Sequence, residues 1–401
     1  MDPVVALEIG TAKVIAMVGE MREDRTIMVT GFGQASSVGV RKGEIIDLEN
    51  ATVCIKRALE DAEKTSSVQM GEVYLCTSAG HIRGVKNQGT TQILGENGEV
   101  TEEDMEDVAD IARAVVLPDD RQVIHTIHGH YSIDGQERVV RPEGMVGHQL
   151  RLDMLILHGV KTLLDNSSWA VEQLAYNVGD IAFGGLCSAL AVLTAEQKHS
   201  GVVVIDLGCG TTDYMAYDDG FAVCGGSLGV GGDHVTNDIQ QAFSIQRKRA
   251  ENLKCEHGSA VVGSAHEQAQ VSLPAEVGFS QTSINVRTLQ VVINARLREI
   301  FEMIKKQLDA EEILPVLGAG IVLTGGGAHM DGVVDLAREV FKAPCSIGIP
   351  RGISGIPKIT DGPEYAACCG LLRYGFKVQE RMQYESGSFL GGLVGRLLGR
   401  N

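Results

Sequence analysis

The run Val202-Val203-Val204-Ile205-Asp206-Leu207-Gly208-Cys209-Gly210-Thr211-Thr212-Asp213 combines a buried-strand pattern, a terminal acid and a glycine turn bearing hydroxyls; Tyr214–Tyr217 reads as a return strand. Glycine removes the Cβ that would keep a phosphate away, so such a turn can aim backbone N–H groups and a threonine hydroxyl at phosphate oxygens. The acid suits Mg²⁺ held through water, because this ion keeps much of its hydration and takes only one or two carboxylates. The same arrangement occurs near the N-terminus. Val4–Ile9 ends in Glu8-Ile9-Gly10-Thr11, and Lys13–Val18 returns as a second apolar run. Two such turns facing each other would clamp a polyphosphate.

A third signal follows the apolar run Ile321–Leu323, where Gly325-Gly326-Gly327 precedes a helix expected from Asp331. Three glycines after a buried strand offer a flat surface suited to a nucleoside. A Gly-Thr turn alone is usually only a hairpin, so the inference rests on all three signals in order. The chain has no GxxxxGK[ST] loop, and the triple glycine is not the GxGxxG turn of dinucleotide-binding folds.

Between these motifs, β-rich and helical patterns alternate, which reads as an α/β architecture. Leu48 to Lys64 carries apolar residues at helical spacing, and Val73–Thr77 follows as a strand. From 84 to 166 the texture changes: Thr101 and Asp104 form a capping-box pattern, and Gln122–Ile133 and Gln149–Leu157 read as strands of an inserted subdomain. A helix-rich segment spans 232 to 310, and a polar stretch after Tyr374 leads to the terminal SFLGGLVGRLLGRN.

Composition bounds the function. The 401 residues carry a formal charge of −17, from 52 acidic against 35 basic side chains, so nucleic acid is not an expected partner. Glycine is abundant (49 residues), which points to close backbone approaches. The nine cysteines show no metal-ligand spacing and read as reduced core residues. The histidines between 81 and 158 also lack ligand spacing. MDPVVALEIG has no basic region before an apolar run and does not read as a signal peptide, so a cytoplasmic body is expected.

Acid-Ile-Gly-Thr-x-Lys, Asp-Leu-Gly-x-Gly-Thr-Thr-Asp and Leu-Thr-Gly-Gly-Gly-Ala resemble, in order and separation, the phosphate-1, phosphate-2 and adenosine motifs of the actin, sugar kinase and heat-shock chaperone superfamily. Within it, LEIGTAKV, the 84–166 insertion, GIVLTGGGAHMDG and the amphipathic C-terminus resemble the bacterial FtsA cell-division family over essentially the whole chain. The resemblance implies an actin-like duplicated ATPase fold with a nucleotide cleft between two halves. It implies a first core subdomain at 1–83, 167–199 and 361–380, an inserted α+β subdomain at 84–166, and a second core subdomain at 200–228 and 311–360. A further subdomain at 229–310, a linker at 381–387 and a membrane-targeting amphipathic helix at 388–401 complete the division.

The same resemblance implies the site. Gly10, Thr11, Lys13, Gly208, Gly210, Thr211 and Thr212 would touch the phosphates of ATP, and Glu8 and Asp206 would serve Mg²⁺. Gly231, Gly232, Glu251, Lys254, Gly325, Gly326, Gly327 and Met330 would surround the nucleoside. Hydrolytic superfamily members position water with a Glu or Gln near the start of the first domain's last helix, but Ile181–Leu190 offers no carboxylate, amide or histidine. Losing such a group costs typically 10²–10⁴-fold, so at most slow hydrolysis is expected.

Phe389, Leu390, Leu393, Val394, Leu397 and Leu398 cover one half of a helix, flanked by Arg396 and Arg400, while four glycines weaken that helix in water. An interfacial helix that folds on anionic lipid fits this pattern. A helix docked on the body through Gly391, Gly395 and Gly399 is the competing reading. One short tail would bind weakly, so attachment would draw on the multivalency of a filament of self-associated subunits. The resemblance further implies that Arg287, Arg296 and Glu299, around the helix Ile293–Leu308, meet the C-terminal peptide of the tubulin-like FtsZ; a solvated helix face is the alternative. It implies recruitment of later division proteins at the cytoplasmic side of the cell membrane, at the division site. A sugar or acetate kinase and a pilus-assembly adaptor of the same superfamily are the competing functions.

Overall fold

A computed structural model describes residues 1–263, 269–275, 281–356 and 362–397, with side chains, Glu96 apart, described through residue 383. The first half begins with β1 (Val4–Ile9), β2 (Lys13–Met21) and β3 (Ile27–Ser36), followed by the small hairpin β4 (Val40–Arg41) and β5 (Glu44–Ile45). Then come α1 (Leu48–Ser66) and β6 (Glu72–Thr77). The insertion holds β7 (Arg83–Gln92), α2 (Glu102–Arg113), β8 (Arg121–Ile133), β9 (Gln136–Val139) and β10 (Gln149–Val160). The chain returns through α3 (Lys161–Glu172), β11 (Asn177–Phe183), α4 (Gly184–Val192) and α5 (Ala195–His199).

The second half contains β12 (Val202–Leu207), β13 (Thr212–Asp218), β14 (Phe221–Leu228), α6 (Gly232–Phe243), α7 (Arg247–His257), β15 (Gln270–Leu273), β16 (Thr282–Asn285) and α8 (Val286–Ala310). It ends with β17 (Gly320–Thr324), α9 (Val333–Phe341) and β18 (Cys345–Ile347); β19 (Ile353–Ser354) and α10 (Ala366–Leu397) close the chain against the first half.

The apolar patterns form their expected elements. α1 buries Ala51, Ile55, Ala58, Leu59 and Ala62, one stripe at helical spacing, and Asp47 caps it by accepting from Asn50 N. Thr101 and Asp104 form a full capping box on α2, because each side chain meets the other's backbone N–H. The helix expected from Asp331 starts later. A 3₁₀ turn at Gly326–His329 follows the triple glycine, and Gly332 at φ +70° leads into α9.

A six-stranded sheet ordered β11-β6-β1-β2-β3-β19 carries α1 on one side and α4 with α10 on the other. Gly370 lets α4 and α10 cross closely, since a Cβ there would stand 1.7 Å from Cys187 O. All nine cysteines are free thiols and seven are buried as core residues, whereas Cys209 is half-buried and Cys255 is exposed, against the core reading for those two.

The second sheet holds nine strands ordered β18-β17-β12-β13-β14-β7-β10-β8-β9, so the insertion's four strands extend the second half's sheet. The join is narrow. Gly226 pairs with Arg83, Ser227 N donates to Ile82 O (3.3 Å), and the Arg83 guanidinium donates to Ser227 O (2.9 Å). Lys86–Glu311 (2.7 Å), Arg138–Asp218 (2.8 Å) and the His130 ring against Phe221 (4.3 Å) reinforce it. On the first-half side, His81 Nδ1 accepts from Val160 N (3.0 Å) and His125 Nε2 accepts from Phe183 N (2.9 Å). Burial holds both imidazoles down to about 4, so they are neutral packing residues.

The segment expected as a linker, 381–387, is continuous with α10, which runs 32 residues without a break. Among the described residues no helix is long and apolar enough to cross a membrane.

Candidate nucleotide-binding cleft

The two glycine turns close in the same way. β1 pairs with β2 antiparallel and β12 with β13, and each four-residue turn is closed by one bond: Gly10 N to Lys13 O and Gly208 N to Thr211 O, both 3.0 Å. A Cβ on either glycine would stand 2.8 Å from the oxygen it bonds. The turns also meet, because a Cβ on Gly210 would lie 2.3 Å from Thr11 Oγ1 and 2.9 Å from Lys42 Cα. Thr11 Oγ1 is held by Gly43 N (3.0 Å). Between the turns lies a cavity of about 320 Å³ lined by Glu8, Gly10, Thr11, Lys13, Asp206, Gly208, Gly210, Thr211, Gly325 and Gly326, together with Ser78 and Asp213.

The acids at the strand ends are deeply buried. Burial, with Asp206 alongside, raises Glu8 to about 7; burial raises Asp206 to about 6 against the opposing effects of Ser188 and Lys13. Ser188 on α4 donates to Asp206 Oδ2 (2.5 Å). Among the described residues Glu8 Oε2 has no hydrogen-bond partner, and neither does Asp213 Oδ1. Orphaned buried carboxylate oxygens beside a glycine cradle fit a hydrated divalent cation accompanied by phosphate oxygens. Among the described residues no three such side chains could cage a metal directly.

A second cavity of about 500 Å³ adjoins the first and is lined by Gly231, Gly232, Glu251, Lys254, Gly326, Gly327 and Met330. Lys254 Nζ donates to Glu251 Oε2 (2.7 Å), Thr236 Oγ1 (2.9 Å) and Gly232 O (3.1 Å), fixing Glu251 and Lys254 to the start of α6. Gly325 sits at φ +81°, and a Cβ there would stand 2.2 Å from Asp206 Oδ1, so glycine is required twice over. Sequence reasoning thus picked residues that fold together.

Thr212 is the exception. It is fully buried and donates to Val230 O (2.8 Å), so it anchors the turn rather than facing the cavity. Asp213 was missed although it closes the quoted motif. It lies beside the start of α4, where a Cβ on Gly184 would meet Ser78 Oγ at 1.9 Å and Asp213 Oδ2 at 2.8 Å. Burial, with Asp206 second, raises it to about 7. The stretch entering α4 has no polar side chain facing the cavity, but the tertiary fold brings two from elsewhere.

Arg296, on α8, does not present a free guanidinium. It binds both carboxylate oxygens of Asp238 on α6 (2.5 and 3.0 Å) and Glu299 (2.5 Å), while Arg287, the second residue of the same helix, is exposed. Phe389, Leu390, Leu393, Val394, Arg396 and Leu397 fall on α10, but their side chains are outside the description; Leu398 and Arg400 lie outside the described residues.

This is the fold of the actin-like α/β proteins. A chain of the PilM–PilN type IV pilus biogenesis complex matches with a TM-score of 0.64 at 14% identity, covering 93% of this chain and 98% of that one. MreB5 of Spiroplasma citri bound to ADP matches with a TM-score of 0.56 at 16% identity, over 96% and 99%. Sequence similarity narrows the class. The models for cell division protein FtsA and for the SHS2 domain inserted in FtsA match residues 203–370 and 79–158. The cell division protein FtsA of Borreliella burgdorferi is 33% identical over 378 residues, covering 94% of this chain and 92% of its own length. The chain belongs to the FtsA cell-division family, and its role lies in cell division on an actin-like fold.

Proposed function

We propose that this protein binds ATP with Mg²⁺ between its two turns, polymerises on the inner face of the cytoplasmic membrane, and tethers the C-terminal peptide of FtsZ there while recruiting later division proteins. The observation that carries the nucleotide reading is the pair of identically closed turns meeting at Gly210 and Thr11. In it, backbone N–H groups of both turns, Thr11, Thr211 and Lys13 hold the phosphates; Gly231, Gly232, Glu251, Lys254 and Gly325–Gly327 with Met330 hold the nucleoside. Bound Mg²⁺ neutralises phosphate charge, with Glu8 and Asp206 holding its waters. The ADP bound by MreB5 supports the same reading by fold alone.

The lipid contact is assigned to 388–401 and the FtsZ contact to Arg287, Arg296 and Glu299. Since Arg296 is already paired with Asp238, an acidic peptide must exchange for that carboxylate. The test is equilibrium binding of a fluorescent ATP analogue with and without Mg²⁺, plus co-sedimentation with anionic vesicles before and after deletion of 388–401. Saturable Mg²⁺-dependent binding and loss of sedimentation are expected; a turnover matching that of sugar kinases, or vesicle binding unchanged by the deletion, would overturn the corresponding part.

A further inference from the structure

The turn that follows the three glycines ends on a histidine at the place where the two cavities meet. Gly326–His329 is closed by Ala328 N to Gly325 O (3.0 Å) and followed by Met330 N to Gly327 O (3.1 Å). Ala12, Gly208, Cys209, Gly326 and His329 line both cavities, and of these only His329 can carry a positive charge. Its ring is tied across the cleft, because Nε2 lies 2.7 Å from Glu364 Oε2, in the turn Pro363–Tyr365 ahead of α10. Gly325 N and Thr324 Oγ1 both donate to Pro363 O (3.0 and 3.1 Å), which fixes the two turns against each other. The histidine is exposed, and among the described residues its Nδ1 has no partner. A carboxylate held on one imidazole nitrogen sets the direction of the other.

The charge balance of the cleft leaves a place for that nitrogen. Among the described residues the phosphate cavity presents Glu8, Asp206, Asp213 and Glu364 against one lysine, Lys13. In the nucleoside cavity Lys254 is already bonded to Glu251, and Glu256 and Asp331 add two acids. Lys13 lines the phosphate cavity but not the other, so a phosphate at the junction has His329 as its nearest candidate cation. Against burial, which raises it, the bond from His329 and the charge of Lys13 hold the Glu364 carboxyl below its ordinary value. Glu364 is therefore ionised at neutral pH and accepts from the ring.

We infer that His329, as an imidazolium, donates its Nδ1–H to the phosphate next to the nucleoside while Nε2–H stays on Glu364. This rests on the nucleotide reading above and adds a division of the phosphates: Lys13 serves those farther from the nucleoside, His329 the first. A charged ring favours the bound anion. The contact is therefore present at low pH and is lost as pH rises through the range in which histidines give up their charge.

The test is titration calorimetry of the full chain with Mg²⁺ at pH 6, 7 and 8, using ADP and adenosine as ligands. The proteins are the unaltered chain, His329→Gln and His329→Lys. Glu8, Asp206 and Asp213 titrate over the same interval, but they are common to all three proteins and drop out of the comparison. At pH 6 the unaltered chain is expected to bind ADP about five- to tenfold tighter than His329→Gln, a charged hydrogen bond weakened by solvent at an exposed ring. That ratio shrinks towards one at pH 8. His329→Lys carries a cation that does not titrate here, so its advantage over His329→Gln persists at pH 8. Adenosine affinity is equal in the unaltered chain and His329→Gln at every pH. If the unaltered chain binds neither ligand, the nucleotide reading fails and this inference with it. If ADP binds the unaltered chain and His329→Gln alike at pH 6, nucleotide binding stands and the histidine contact is overturned. An equal loss for adenosine puts the ring on the nucleoside and overturns the phosphate assignment.

Discussion

The turn after β1 and the turn after β12 share a backbone and differ in what holds them. Both close through a glycine N–H to the carbonyl three residues on, at 3.0 Å. The first carries the charge: Lys13 sits 4.1 Å from the centroid of the Tyr365 ring and opposes the raised pKa values of Glu8 and Asp206. The second carries none of its own and is bound to the start of α6, because Gly232 N and Asp233 N donate to Gly208 O (3.0 Å) and Cys209 O (2.8 Å) and Thr212 holds Val230. One turn supplies a cation and the other a rigid floor. A duplicated element can therefore divide its work without changing its geometry.

The contact between the turns is where the largest effect is expected. Gly210→Val pushes a side chain into Thr11 and the Lys42 backbone, and overpacking of about 1–3 kcal/mol corresponds to a roughly 5- to 150-fold loss of nucleotide affinity. Equilibrium binding measures it, with circular dichroism confirming the fold. Lys13→Met removes the charge that distinguishes the first turn. A charged hydrogen bond contributes about 1.5–3 kcal/mol, so affinity for ATP falls roughly tenfold or more while AMP binding is little changed.

Thr212→Val separates anchoring from contact. It leaves Val230 O unsatisfied and costs about 1–3 kcal/mol in chemical denaturation, yet shifts ATP affinity by less than about threefold. An affinity loss as large as that of Lys13→Met would show that the second turn's hydroxyl reaches the ligand after all.

The smallest effect is a pH dependence of the metal-free protein. Glu8 (about 7), Asp206 (about 6) and Asp213 (about 7) all titrate above their ordinary values of 4.5, 3.8 and 3.8. Their contribution to stability is full below about pH 4 and is lost as pH rises through 6 to 7. His81 and His125, held down to about 4, act oppositely, with their stability present above about pH 6.5 and lost as pH falls through 4. Between about pH 6.5 and 7, below the Lys198 transition at about 8, the carboxylates dominate, so melting in chelator should decline with pH there. Glu8→Gln should flatten that decline; an identical slope would remove Glu8 from the account.

The hairpins, α1, the α2 capping box and the glycine platform were legible because each is encoded by neighbours: a period of two, a period of 3.6, a cap three residues away, a glycine where backbone must approach. The turn residues that line the cavity were legible for the same reason, Thr212 excepted, since a motif names a residue's place in a turn but not the way its side chain points. Asp213 was overlooked because its importance comes from Gly184 and Ser78 arriving from the other half.

The sequence alone therefore set the two turns, the triple-glycine turn and the family, all local patterns in order. Two features depended on the folded chain: the nine-stranded sheet joined at Arg83 and Ser227, positions 144 residues apart, and the pairing of Arg296 with Asp238. Each depends on residues distant in sequence that meet only after both halves have packed, and no local periodicity encodes such a meeting.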